Sequence, residues 1–193
     1  IGIGKSEPYD SAETVTTPTD TPRTIRNLRA GLQSIKSASD VSYVIPRYNW
    51  SSGAFYNAYD DDFASIPATN SYYVLTEDNQ VYICLQQSKT ATGAANASTV
   101  KPTGTGTKPI KTADGYVWKY LFSLSATRSS KFLSSNFVPV EKILDSSELG
   151  RPLAGFEILQ DQVQNAAVPG QILGIKVTNA GTGYTSTPTI TID

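Results

Sequence analysis

Few residues in this chain have the type and spacing to do chemistry. Gly4-Lys5-Ser6 matches the close of a phosphate-binding loop, where backbone N–H groups cradle phosphates and the Lys reaches them. That geometry needs a helix running straight on from the Lys, and Glu7-Pro8-Tyr9 follows instead. Asp60-Asp61-Asp62 offers oxygens to Ca²⁺, but a calcium loop alternates its carboxylates and adds a Gly turn and a bidentate acid. Three consecutive aspartates read as a solvated acidic loop. Gly104-Thr105-Gly106-Thr107 lacks the strand-to-helix setting of a nucleotide site. Asn49-Trp50-Ser51 and Asn96-Ala97-Ser98 are formal glycosylation sequons, too common to carry weight without a secretory context.

The chain has no His and one Cys. Ser-His-Asp and Cys-His catalysis are therefore out, as are His-bearing zinc sites and internal disulfides. Cys84 sits between Ile83 and Leu85 in a strand, where a buried, inert thiol is expected. A paired-carboxylate hydrolase survives, but no spacing selects a pair. The expectation is a protein that is not an enzyme and holds no cofactor or metal.

The elements that must position any surviving site follow from composition and periodicity. The 193 residues suffice for one full-sized domain, or one domain plus part of a second. Sixteen basic residues nearly balance seventeen acidic ones, giving a net charge of -1, which is no polyanion-binding composition. No apolar run approaches the roughly 18–20 residues of a membrane span. Nucleic acid and membrane are thus not expected partners. There are 43 Ser and Thr residues, leaning towards a β-rich, solvent-facing structural protein. The alternating first and last residues, Ile1-Gly2-Ile3-Gly4 and Thr189-Ile190-Thr191-Ile192, read as strands of a longer polypeptide.

The expected fold is mainly β (α+β): a β-sandwich or barrel-like first domain over 1–150, then the start of a second β-rich module over 151–193. One amphipathic helix is expected near 22–39, capped by Thr21 or Asp20, with Pro22 in its first turn. At about 100° per residue, Ile25, Leu28, Leu32 and Ile35 form its apolar stripe, although Gly31 weakens its middle. Strands are expected at 41–45, 72–77, 80–86, 115–124 and 137–140, with a two-residue hairpin turn at Asp78-Asn79. In the strand at 115–124, alternation puts Tyr116, Trp118, Tyr120 and Phe122 on one face. Residues 88–111 read as a mobile surface loop, 126–135 as a connecting loop and 141–149 as a short helix. The texture changes near Gly150, with strands expected at 171–177 and 188–192.

What remains is surface suited to partners. Arg47, Tyr48, Trp50, Phe55, Tyr56 and Tyr59 crowd a segment whose polar loops cannot bury them all, and Tyr, Trp and Arg are enriched at interface hot spots. Trp50 suits the core as well as an interface. Arg26 and Arg29, with Arg23 and Lys36, give the helix a basic face that suits solvent or a protein partner.

Four segments, in order, carry a resemblance: Ser6-Glu7-Pro8-Tyr9; Tyr43-Val44-Ile45-Pro46-Arg47-Tyr48-Asn49-Trp50; Val81-Tyr82-Ile83-Cys84-Leu85; and Asp114-Gly115-Tyr116-Val117-Trp118-Lys119-Tyr120-Leu121-Phe122. Over about residues 1–145 the chain resembles the baseplate wedge subunit of T-even-type contractile-tailed bacteriophages. The second and fourth segments are the specific ones. The resemblance implies a non-enzymatic virion component of the tail baseplate, assembled in the host cytoplasm. It implies a homodimer within each wedge, packed against other baseplate wedge proteins, whose rearrangement on host contact starts sheath contraction. Glu7, Pro8, Pro46, Arg47, Trp50, Cys84, Asp114, Gly115, Tyr116, Trp118 and Tyr120 are then structural motif residues. After Gly150 the resemblance fades, and 181–190 looks like a short β-module recurrent in phage structural and bacterial surface proteins. The alternative is a host-surface carbohydrate-binding or adhesion module, its exposed Tyr and Trp stacking on sugar faces.

Overall fold

The computed structural model describes residues 1–4, 20–37, 41–63, 71–143, 146–172, 174–175, 181–189 and 191. Glu7 and Pro8 of the first motif segment lie outside the described residues. The chain divides into two compact units, Ile1–Tyr43 and Val44–Asp193. The fold is mainly β with α-helices, the expected class.

In the first unit, β1 (Gly2–Gly4) pairs antiparallel with β2 (Leu32–Ile35), Gly2 opposite Ile35 and Ile3 opposite Ser34. α1 (Pro22–Gly31) lies between them in sequence. Thr21 caps it as expected, its Oγ1 accepting the Thr24 N–H at 3.2 Å. The expected helix to residue 39 is corrected here. Gly31 ends α1, because a residue costing about 1 kcal/mol in a helix gives way once the following segment finds a strand partner.

In the second unit, β4 (Tyr73–Leu75), β5 (Gln80–Gln86), β6 (Ile110–Lys111) and β7 (Val117–Ser123) form an open antiparallel sheet in the order β4-β5-β7-β6. A separate two-stranded sheet joins β3 (Tyr43–Pro46) to β8 (Phe137–Val140). The four-stranded sheet is buried on both faces. Tyr56, Val74, Tyr82, Cys84, Tyr116, Trp118, Tyr120 and Val163 pack on one. Leu75, Val81, Leu124 and Val138 pack on the other. Each fully buried large side chain contributes roughly 1.5–3 kcal/mol, so the aromatic face holds this unit together.

Phe122 does not join that face. A β-bulge makes Tyr82 oppose Tyr120 while Val81 opposes Phe122, leaving Leu121 as the extra residue. The inserted residue reverses the alternation, and Phe122 packs with Val81 and Leu75 instead.

Two helices arise where the sequence suggests loop or nothing. α2 (Ala126–Phe132) starts at Ser125, whose Oγ accepts the Arg128 N–H at 3.2 Å. The cap outweighs the polar, loop-like composition that follows it. α3 (Ser146–Leu149) is a single turn within the expected short helix at 141–149. α4 (Phe156–Asn165) sends Leu159 and Val163 against the aromatic core at i and i+4 spacing. The chain past residue 150 therefore packs with the sheet, and the compact units divide at Tyr43/Val44 instead of near Gly150. From Ala166 onwards the described residues are exposed and form neither helix nor strand. That includes the described parts of the strands expected at 171–177 and 188–192, which find no ladder partner to fix them.

The hairpin joining β4 to β5 spans three residues, not two. The Thr76 N–H donates to the Gln80 carbonyl at 2.9 Å, and the Asn79 N–H donates to the Thr76 carbonyl at 3.0 Å. Only Asn79 takes a positive φ, 57°. A two-residue turn would need positive φ at Asp78 too.

Candidate interaction surface

Residues 47–63 hold six of the eight candidate interface residues, and most of the segment is strapped to the sheet. Leu75 N–H donates to the Tyr48 carbonyl at 2.7 Å, and Trp50 N–H to the Leu75 carbonyl at 2.9 Å, so residues 48–50 cover part of the β4 edge. Tyr59 N–H then donates to the Cys84 carbonyl at 2.7 Å. Arg47 is a brace: Nε donates to Asn49 Oδ1 and a terminal nitrogen to the Ser134 carbonyl, both at 2.8 Å. Its backbone N–H donates to the Asn136 carbonyl just before β8.

Trp50 is half-buried, and its Nε1 donates to Ser98 Oγ at 3.1 Å. Ser98 Oγ in turn donates to Asp114 Oδ2 at 3.1 Å, the oxygen that also accepts the Thr99 and Val100 N–H groups at 2.8 and 2.9 Å. The other carboxylate oxygen accepts from the Thr112 hydroxyl and the Tyr116 N–H. Burial works to raise the Asp114 pKa, but the bonds from Thr112, Val100, Thr99 and Tyr116 together hold it below the usual carboxylate range. Gly115, at φ 89°, lets the chain turn beneath this clamp. A Cβ there would stand 2.8 Å from Ser88 Oγ.

The same contacts correct the expectation for residues 88–111. The segment is poor in apolar residues, yet Ser98 and Pro102 are fully buried. Tyr116 Oη donates to the Asn96 carbonyl at 2.6 Å, and Tyr82 Oη to the Gly104 carbonyl at 2.9 Å. Hydrogen bonds from core aromatics hold a segment that has no hydrophobic anchor of its own.

The structure therefore sorts the candidates. Tyr56 is a core residue at 4% exposure, its ring edge-on to Tyr116 and Trp118 and its Oη accepting the Ser51 N–H at 2.8 Å. Tyr48 is half-buried, edge-on to Tyr73 at 5.4 Å. Phe55 and Tyr59 stay exposed at 43% and 49%. Arg26 and Arg29 are exposed on α1, in the other unit. The motif residues Trp50, Cys84, Asp114, Gly115, Tyr116 and Trp118 come together in the second unit, and Tyr120 lines the same core.

Sequence reasoning overlooked Phe63 and Tyr72. Tyr59 is edge-on to Tyr72 at 5.3 Å, Phe63 stacks on Tyr72 at 5.6 Å, and Tyr72 meets Tyr73 at 5.3 Å. A row of rings thus runs from half-buried Tyr48 to exposed Tyr59 and Phe63. The Tyr72-Tyr73 doublet was its signal: adjacent residues of an edge strand face opposite ways, so one ring points outward.

An open groove of about 440 Å³ lies between the β8 end and the start of α4. Two carboxylates line it, each held by an arginine: Glu141 by Arg128 at 3.0 Å, and Glu157 by Arg151 at 2.7 Å. Arg151, with the Ala154 N–H, pulls the Glu157 pKa down to about 2. A catalytic proton donor needs the opposite displacement, so Glu157 cannot serve as one near neutral pH. Among the described residues no three His, Cys, Asp or Glu side chains converge on a metal-sized site. No helix among them is long and apolar enough to cross a membrane. No protein-family model matches the chain, and no curated protein gives a significant match.

Proposed function

We propose that the chain is a structural component of a contractile phage tail baseplate, a wedge subunit of the virion that works through protein–protein interfaces. It joins other wedge proteins, dimerises within each wedge and takes part in the rearrangement that triggers sheath contraction. It is assembled in the host cytoplasm and catalyses nothing. One observation carries this reading: three of the four segments on which the resemblance rests form a single hydrogen-bonded body. Residues 46–50, 81–85 and 114–122 bind one another through Leu75, Ser98 and the aromatic core. Motif residues that hold each other in place suit a scaffold that presents surfaces.

Mass in solution tests the reading, measured by light scattering for the chain alone and then with co-expressed tail proteins. A dimer that climbs to a stoichiometric hetero-complex is expected. A chain that ignores those proteins overturns it. Obligate contacts of this kind bury on the order of 2,000 Å² or more, so the complex should survive dilution.

Exposed Phe55, Tyr59 and Phe63 favour a second reading, a carbohydrate-binding or adhesion module. Trp50 is a poor sugar platform, since its indole N–H is committed to Ser98. Glycan-array binding lost in Tyr59→Ala, with assembly intact, would select this reading.

A further inference from the structure

The described residues of Ile1–Tyr43 include no buried side chain. α1 is ten residues long, below the roughly 12–15 at which an isolated helix holds in water. The β1–β2 ribbon has two strands, and such a ribbon is marginal alone. Yet α1 is capped and amphipathic, with Ile25 and Leu28 exposed at 41% and 65%. Beside it lies an open groove lined by Arg29, Leu32 and Ile35. A unit with this pattern and no core of its own needs a cover for its apolar stripe.

Charge selects the cover. At about 100° per residue Arg29 flanks the Ile25–Leu28–Leu32 stripe and Arg26 lies next to it, while α1 has no acidic residue. The complementary surface must offer exposed apolar rings with unopposed acids. In Val44–Asp193, exposed Tyr59 and Phe63 bracket Asp60, Asp61 and Asp62, and no Lys or Arg occurs between Tyr48 and Phe63. Exposed Phe137 has no acid beside it in sequence, and Phe156 neighbours Glu157, whose carboxylate Arg151 already occupies.

We propose that α1 of one copy docks on the 59–63 loop of a second copy, with Ile25 and Leu28 against Tyr59 and Phe63, and Arg26 and Arg29 facing Asp61 and Asp62. The proposal rests on reading the chain as a multi-copy structural subunit. In a two-fold dimer the contact occurs twice, because each copy supplies one helix and one loop.

Two charge reversals test it, R26E/R29E and D61R/D62R, each confirmed folded by an unchanged urea midpoint. Sedimentation equilibrium gives the dimer Kd. Each variant alone opposes like charges at both contacts, and its Kd should rise roughly 10-fold or more. An equimolar mixture should recover near wild-type affinity, since the mixed dimer pairs opposite charges at both contacts. Docking within one chain cannot respond to mixing. A variant that dimerises like wild type, a mixture no tighter than its parts, or a wild-type chain monomeric at all concentrations overturns the proposal. Assembly with co-expressed tail proteins reports separately on the wedge reading: if it persists in a variant set that refutes the docking, only the docking falls.

Discussion

Asn79 and Gly115 occupy the same place in two copies of one turn. In each copy a Thr N–H donates to the carbonyl four residues on, Thr76 to Gln80 and Thr112 to Tyr116, both at 2.9 Å. The same Thr carbonyl accepts the N–H of Asn79 at 3.0 Å or of Gly115 at 2.9 Å. The Thr hydroxyl repeats the first bond at 3.2 and 3.1 Å. Both turns have Asp in the position before the left-handed residue. Asp78 meets Lys101 at 2.8 Å, whereas Asp114 turns inward to hold residues 98–100.

The left-handed site makes Asn79 testable. Asn79→Ala should cost about 1 kcal/mol, the penalty of that conformation for a residue without a locally bonding side chain. Asn79→Gly should lie within about 0.5 kcal/mol of wild type. Gly115→Ala should cost more than Asn79→Ala, because its Cβ meets Ser88 Oγ as well. Urea midpoints at unchanged slope read all three. A neutral Asn79→Ala would contradict the turn assignment.

Asp114 is the single side chain on which residues 98–100 depend. Asp114→Ala leaves the Ser98 hydroxyl and two backbone N–H groups without their acceptor, and should cost about 2–4 kcal/mol. Hydrogen exchange localises the effect: the Thr99 and Val100 amides should lose protection first. Trp50 fluorescence should shift as well, since Ser98 links the indole to the carboxylate. A variant that unfolds earlier but keeps both amides protected would show that the clamp is not the cause.

The same bonds set an acid limit. Asp114 and Glu157 both have pKa values lowered in the folded chain, Glu157 to about 2. A carboxylate with a depressed folded pKa contributes fully above its unfolded pKa, and that stability is lost as pH falls through the folded value. Stability should therefore decline from about pH 4.5 downwards, as the unfolded chain takes up protons first. Glu157→Gln should flatten the decline between about pH 4.5 and 2, and Asp114→Asn should flatten it further. Equal slopes for wild type and both variants would rule out these carboxylates as the source.

Much of the fold is legible in the residues themselves. Thr21 and Pro22 announce α1, and the alternation of Tyr116, Trp118 and Tyr120 gives β7 and its buried face. What escapes depends on partners remote in sequence. The extra residue at Leu121 exists only because of the register against β5, so Phe122 cannot be placed from β7 alone. Residues 88–111 look unanchored because their anchors, Tyr82, Asp114 and Tyr116, lie on other elements. The candidate surface divides in the same way. A run rich in Tyr and Trp marks the segment, but the Tyr56 contact with Trp118 and the Trp50 bond to Ser98 decide which rings face solvent.

Cys84 gives an independent probe of the aromatic core. It is fully buried between the rings of that face, and burial pushes its thiol up to about 12. Burial likewise pushes the Tyr82 phenol up to about 12. Groups whose acid forms are favoured by folding contribute fully below their unfolded pKa values, roughly 8.5 for Cys and 10 for Tyr, and lose that contribution as pH rises towards the folded values. Alkaline unfolding should therefore begin above about pH 9, with Cys84→Ala removing the earliest part of the slope. At pH 8 a chromogenic disulfide reagent should leave the native chain untouched and label one thiol per chain in strong denaturant. The thiolate is the reacting species, and the fold denies both its formation and its access. Full-rate labelling in native buffer would mean that the sheet opens at Cys84 far more often than a core packed on both faces permits.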